Sequence, residues 1–149
     1  MEKIENPRAV STTREPARSI LQDISDAQPV LARALEFQNR VAAVGFDWPA
    51  VTQVLEKIEE ELLEIRHEIA QAAGIERLED EIGDLMFVCV NLARHLKVNP
   101  EAALRRANAK FERRFRRIEA MLAERGRTPQ QSTLEEMDTL WDQAKSEEY

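Results

Sequence analysis

Apolar side chains recur along this chain in steps of three and four, the spacing that lines up one face of an α-helix. The clearest run is Val51, Leu55, Ile58, Leu62, Ile65 and Ile69, a single stripe that predicts a helix ended by Gly74. Leu78, Ile82, Leu85, Cys89, Leu92 and Leu96 mark the next helix, from about Ile75 to Leu96. There Met86, Phe87, Val88 and Val90 carry the apolar surface almost all round, so this helix is expected to be the most buried. An earlier stripe of Leu31, Leu35, Phe37 and Val41 predicts a helix from Pro29 that stops at Gly45. Asn99 followed by Pro100 is a cap with proline at the first helical position; Leu104, Phe111, Phe115, Ile118 and Leu122 continue that helix to about Arg125, where Gly126 closes it. Overlapping capping boxes in Ser132-Thr133-Leu134-Glu135-Glu136 open a last helix that carries Leu134, Met137, Leu140 and Trp141. Residues 1–28 are polar and hold Pro7 and Pro16, with no periodicity beyond Ile20, Leu21 and Ile24; a flexible tail is expected there, and one domain over 29–149.

Composition narrows this to an all-α fold. Of 149 residues 43% are hydrophobic and 33% charged, with only four Gly and six Pro, which suits one helical core with few turns. A net charge of -7 argues against a dedicated binder of nucleic acid or of an anionic membrane. Cys89 is the single cysteine, so no intrachain disulfide or cysteine-based zinc site is expected. Leu85 to Val90 is the longest apolar run, too short for a bilayer, and the N-terminus lacks a hydrophobic signal core; a cytoplasmic location is the expectation.

Four carboxylates stand in two short pairs, Glu61 with Glu64 and Glu81 with Asp84, on the second and third predicted helices. A spacing of three turns a side chain by about 60°, so each pair projects from one face, and two such helices packed together bring four acidic groups to one place. At an effective dielectric near 20, carboxylates about 6 Å apart repel by roughly 3 kcal/mol. Convergence therefore calls for a cation, and oxygen-only ligands suit Mg²⁺ or Mn²⁺. Glu61, Glu64 and Glu68 flank the apolar stripe of their helix, and Arg77, Glu81, Asp84 and Asn91 take the corresponding flank of the next. A lone Glu-x-x-Glu is ordinarily a solvated face, which Glu56, Glu59 and Glu60 are expected to supply in part. The pairing of two such motifs turns the reading to a metal.

The fourth helix sets Lys110, Arg114 and Arg117 along one side, next to Phe111 and Phe115. A carboxylate-bound cation together with Lys and Arg is what a polyphosphate requires. Arg106, Arg113 and Arg116 are expected in salt bridges to acidic neighbours. Trp48 and Trp141 could each stack on a nucleobase or serve a core or interface. Glu64-Ile65-Arg66-His67 has the Glu-x-x-His form of a di-iron bundle, but the second copy that such a bundle needs is missing, and His67 is expected to be exposed.

These residues resemble the MazG family of nucleoside triphosphate pyrophosphohydrolases, within the all-α NTP pyrophosphatase superfamily, over about residues 30–147. The family pattern Glu-Glu-x-x-Glu followed by Glu-x-x-Asp is met by Glu60, Glu61, Glu64, Glu81 and Asp84. Val44-Gly45-Phe46-Asp47-Trp48-Pro49, Gly83-Asp84-Leu85-Met86-Phe87, Val90-Asn91-Leu92-Ala93-Arg94-His95 and Arg106 to Phe115 match as well, closest to the C-terminal catalytic domain of the long, two-domain members. The resemblance implies a helical bundle completed by dimerisation, or by a higher homo-oligomer. It also implies Mg²⁺, with Mn²⁺ as a substitute, on Glu61, Glu64, Glu81 and Asp84, and cleavage of nucleoside triphosphates between the α and β phosphates in nucleotide-pool house-cleaning. Arg77, Asn91, Lys110, Arg114, Trp141 and Lys145 are the implied substrate contacts. Lys110 and Arg114 would steady the leaving pyrophosphate, and Glu60 or Glu64 would act as base. Arg77 stands where close relatives often have Lys, a different phosphate-binding geometry. Leu63, apolar on an acidic face, is a local sign of an interface. The competing readings are a helical interaction module without catalysis and a nucleic-acid binder that uses the arginine-rich helix, which would show steep salt dependence.

Overall fold

The structure, a computed structural model, describes residues 18–148. Among them are five α-helices and no strand: α1 Val30–Ala42, α2 Val51–Ala70, α3 Ile75–His95, α4 Pro100–Ala123 and α5 Leu134–Ser146. The expected tail falls largely on residues 1–17, outside the described part. Residues 18–28 form turns laid against α1: Arg40 Nη1 donates to the carbonyls of Ile20 and Gln22 at 3.2 and 2.6 Å, and Ile24 is buried.

Helices α4 and α5 start at side-chain caps. Asn99 Oδ1 accepts from the Ala102 amide at 2.9 Å with Pro100 behind it, and Thr133 Oγ1 accepts from the Glu136 amide at 3.2 Å. The ends share one device, a left-handed residue that lets the next amide reach back five positions. Gly45 (φ 90°) and Gly126 (φ 66°) supply it after α1 and α4. After α2, however, Ala72 (φ 50°) takes that conformation, with the Ala73 amide on the Glu68 carbonyl at 3.0 Å, and Lys97 (φ 57°) does so after α3. Gly74, expected to end α2, is instead the residue that precedes α3.

Two packing units result. α2 and α3 form a hairpin with α1 laid on α3, and α4 packs on α5. The fully buried apolar cluster belongs to the second unit: Ile118, Met121, Leu122, Leu140 and Ala144, flanked by Phe115, Met137 and Trp141. The expectation that α3 is the most buried helix does not hold within one chain. Val88, Val90 and Asn91 are enclosed, but Ile82, Met86 and Phe87 are 46%, 52% and 44% exposed. Ile82 and Met86 thus leave an apolar surface of α3 uncovered within one chain, whereas Phe87 borders the space between α3 and α1.

Candidate metal and phosphate site

Because α2 and α3 run in opposite directions from the short link at 71–74, positions pair across them in mirrored order. Near the link Glu68 meets Arg77; further along, Glu61 meets Glu81 and Asp84. One carboxylate oxygen from each of Glu61, Glu81 and Asp84 lies within 4.8 Å of the others. Glu61 is only 3% exposed. Its Oε1 accepts from Lys57 Nζ at 2.8 Å, while its Oε2 is buried and without a hydrogen-bond partner. A dehydrated carboxylate oxygen beside two more carboxylates is an arrangement that a divalent cation relieves, and the all-oxygen donor set fits Mg²⁺ or Mn²⁺.

Lys57 is a part of this site that the sequence reading passed over. Its ammonium bridges Glu61 and, at 2.9 Å, Glu60, and these bonds, Glu61 first, raise its proton affinity well above that of an ordinary lysine. The signal was present in the spacing, since Lys57 precedes Glu60 by three and Glu61 by four. Glu64 stands at the edge of the trio. Lost hydration in the cleft, and then the charge of Glu61, raise its carboxyl above the usual range. With Glu60, His67, Glu68, Arg77 and Glu81 it lines an open cavity of about 420 Å³. His67 is exposed there. Arg77 reaches this cleft as a fork on Glu68, Nε to Oε2 at 2.9 Å and Nη2 to Oε1 at 2.5 Å, which lowers the Glu68 pKa and raises that of Arg77.

The cationic residues form a separate group on α4 and α5. The Arg114 guanidinium lies 5.5 Å from the centre of the Trp141 ring and is paired with Glu148 at 2.7 Å; Phe111 packs on the same tryptophan at 5.5 Å. Arg113 also pairs with Glu148, Arg116 with Glu112, and Arg117 with Glu147. Lys110 lines a cleft of about 620 Å³ with Asn99, Arg106 and Arg113, and Lys145 is exposed on α5. The cleft beside the carboxylates and the cleft that holds Lys110 share no lining residue. The acidic and the cationic residues expected to act together thus fall in two separate groups.

Asn91 belongs to a third feature. A cavity of about 340 Å³ lies between α1, the loop after it and α3, walled by Phe37, Gln38, Phe46, Trp48, Phe87 and Asn91. Asp47 fixes the loop: it accepts from Arg94 Nη2, from His95 Nε2 at 3.0 Å if that nitrogen is protonated, and from the Trp48 amide at 2.9 Å. Arg94 Nε in turn donates to Asn91 Oδ1 at 2.9 Å. The Arg94 hydrogen bond is the main reason the Asp47 carboxyl titrates below the usual range.

Residues 50–118 match the MazG nucleotide pyrophosphohydrolase domain. The chain is 47% identical over 131 residues to the nucleoside triphosphate pyrophosphohydrolase of Escherichia coli, covering 87% of this chain and 50% of that protein. To the nucleoside triphosphate pyrophosphohydrolase/pyrophosphatase MazG of Thermotoga maritima it is 40% identical over 127 residues, 85% of this chain and 48% of that one. A third relative, the uncharacterized protein YabN of Bacillus subtilis, is 43% identical over 79 residues, 53% of this chain and 16% of its own length. The chain therefore spans about half the length of the first two relatives.

Proposed function

We propose that this chain, whose residues 50–118 match the MazG nucleotide pyrophosphohydrolase domain, is a MazG-family enzyme that hydrolyses nucleoside triphosphates between the α and β phosphates, in a Mg²⁺-dependent reaction that yields a nucleoside monophosphate and pyrophosphate. The observation that carries this reading is the dehydrated, unpartnered Oε2 of Glu61 within the Glu61, Glu81 and Asp84 trio. Glu64 completes the oxygens that would hold the cation. When bound, that cation supplies Lewis-acid polarisation of the phosphate oxygens. Glu60, next to Glu61 and lining the same cleft, takes the proton from the attacking water; the water oxygen joins one phosphorus as the bridging P–O bond breaks. Arg77, already oriented by Glu68, offers its outward edge to phosphate oxygens. Lys110 and Arg114 steady the charge that collects on the departing pyrophosphate, Trp141 and Lys145 border the same face, and Asn91 contacts the nucleoside.

The acidic and cationic halves sit on different helix pairs, and α3 keeps an exposed apolar flank beside the acidic half. We assign this flank, with exposed Leu63, to a homodimer interface through which one subunit's α4 and α5 approach the other's carboxylates. A pool-cleaning role, a cytoplasmic location and a division into a tail over 1–28 and a domain over 29–149 accord with this reading. No helix of the described residues is long and apolar enough to cross a membrane.

The test is product analysis by ³¹P NMR across a panel of common and damaged nucleoside triphosphates, with Mg²⁺ and with EDTA. Monophosphate and pyrophosphate should appear together, only with Mg²⁺, for at least one substrate. Release of orthophosphate in place of pyrophosphate, or inactivity across the panel with no Mg²⁺ binding, contradicts the proposal; the second result favours the non-catalytic helical module.

A further inference from the structure

Gln38 is buried on α1 at 4% exposure, and its amide is oriented by the neighbouring helix. Its Nε2 donates to the Phe87 carbonyl at 2.8 Å. A carbonyl accepts and cannot donate, so the amide can sit only one way round, with Oε1 turned elsewhere. That Oε1 is buried and has no hydrogen-bond partner, and Gln38 forms part of the wall of the cavity of about 340 Å³. Buried acceptors are nearly always paired, so an orphan beside a cavity points to a missing donor.

The cavity also limits what that donor belongs to. Trp48, Phe46, Phe37 and Phe87 present ring surface to whatever lies between them, while the polar groups of Asp47, Asn91 and Arg94, already joined to one another through Arg94, complete the wall. Asn91, on its α3 side, is seven residues beyond Asp84. Seven residues bring a helix almost full circle, so the two share a face and stand about 10.5 Å apart along the axis at 1.5 Å per residue. That span suits a nucleotide whose phosphates lie at the carboxylates and whose base reaches the cavity.

We propose that Gln38 is a specificity-determining residue whose Oε1 accepts a hydrogen bond from an N–H on the edge of a nucleobase seated between Trp48 and α3. The proposal rests on the nucleotide reading above and adds which part of the ligand is sensed. A base that lacks the N–H leaves Oε1 unpaired in the complex and is disfavoured.

Calorimetric titration of the 149-residue chain with nucleoside monophosphates that differ by one edge amine tests this: AMP against purine riboside monophosphate, and CMP against its 4-deamino analogue. In at least one pair the amine-bearing member should bind about tenfold more tightly or better. Gln38→Met, similar in volume and without the carbonyl, should bring that ratio within about twofold, with thermal unfolding confirming that it folds. Equal binding within both pairs overturns the proposal whether or not the variant folds, and so does discrimination undiminished in folded Gln38→Met. Pyrophosphate release from the matching triphosphates is measured alongside. Release without discrimination refutes only the role of Gln38; discrimination without release refutes only the hydrolase reading.

Discussion

Glu61 and Lys57 show how burial changes what a helical spacing means. Lysine four positions before a glutamate is usually a weak surface pair, yet here the glutamate is buried and one of its oxygens is left unserved. The ammonium is a partial counter-ion, sufficient for one oxygen of Glu61 and for Glu60. Lys57→Met should therefore lower the stability of the metal-free protein by about 1–3 kcal/mol, since it strands a buried carboxylate. Saturating Mg²⁺ should recover much of that loss, as thermal unfolding with and without the ion will show. Asp47 offers a pH test. Its carboxyl is depressed in the folded chain, chiefly by Arg94, so its contribution is complete above the ordinary aspartate value of about 3.9 and is lost as pH falls through the lower native value. Asp47→Asn should cost about 1 kcal/mol near neutral pH, after allowance for partial exposure, with the difference from wild type vanishing in acid.

At the scale of elements, the left-handed ends of α2 and α3 are unusual because they fall on Ala72 and Lys97. Each L-residue is strained there, whereas glycine is not, although glycine costs more entropy on folding. Ala72→Gly should be neutral to stabilising by up to about 1 kcal/mol in denaturant titration, while Ala→Gly within α2, at Ala70, should destabilise by a similar amount. All five helices were legible in the sequence because their stripes and caps are local signals. The two acidic pairs were legible for the same reason, and α2 and α3 do bring Glu61, Glu81 and Asp84 together. The wrong stop at Gly74 came from reading glycine as a terminator when Ala72 had already reversed the chain. What stayed hidden is non-local. Gln38 and Phe87 are 49 residues apart and Asp47 and Arg94 are 47 apart, and no periodicity announces such contacts.

For the whole molecule, the apolar pattern of α3 marks it as a central helix, yet one chain covers it incompletely. A pattern states that a face will be covered without stating by which chain. Substituting Met86→Glu on the exposed flank should weaken self-association in sedimentation velocity, with little loss of helix content by circular dichroism, and should reduce pyrophosphate release if the two halves of the site meet across that interface. A variant that remains as associated as wild type would move the interface elsewhere.

The central claim is that the acidic trio binds the cation on which hydrolysis depends. It is tested most directly by comparing wild type with Glu61→Gln, using Mg²⁺ calorimetry and pyrophosphate release on the same preparations. Wild type should bind Mg²⁺ and release pyrophosphate, and Glu61→Gln, folded, should lose both, with the rate falling at least about a hundredfold. Hydrolysis undiminished in Glu61→Gln would contradict the account.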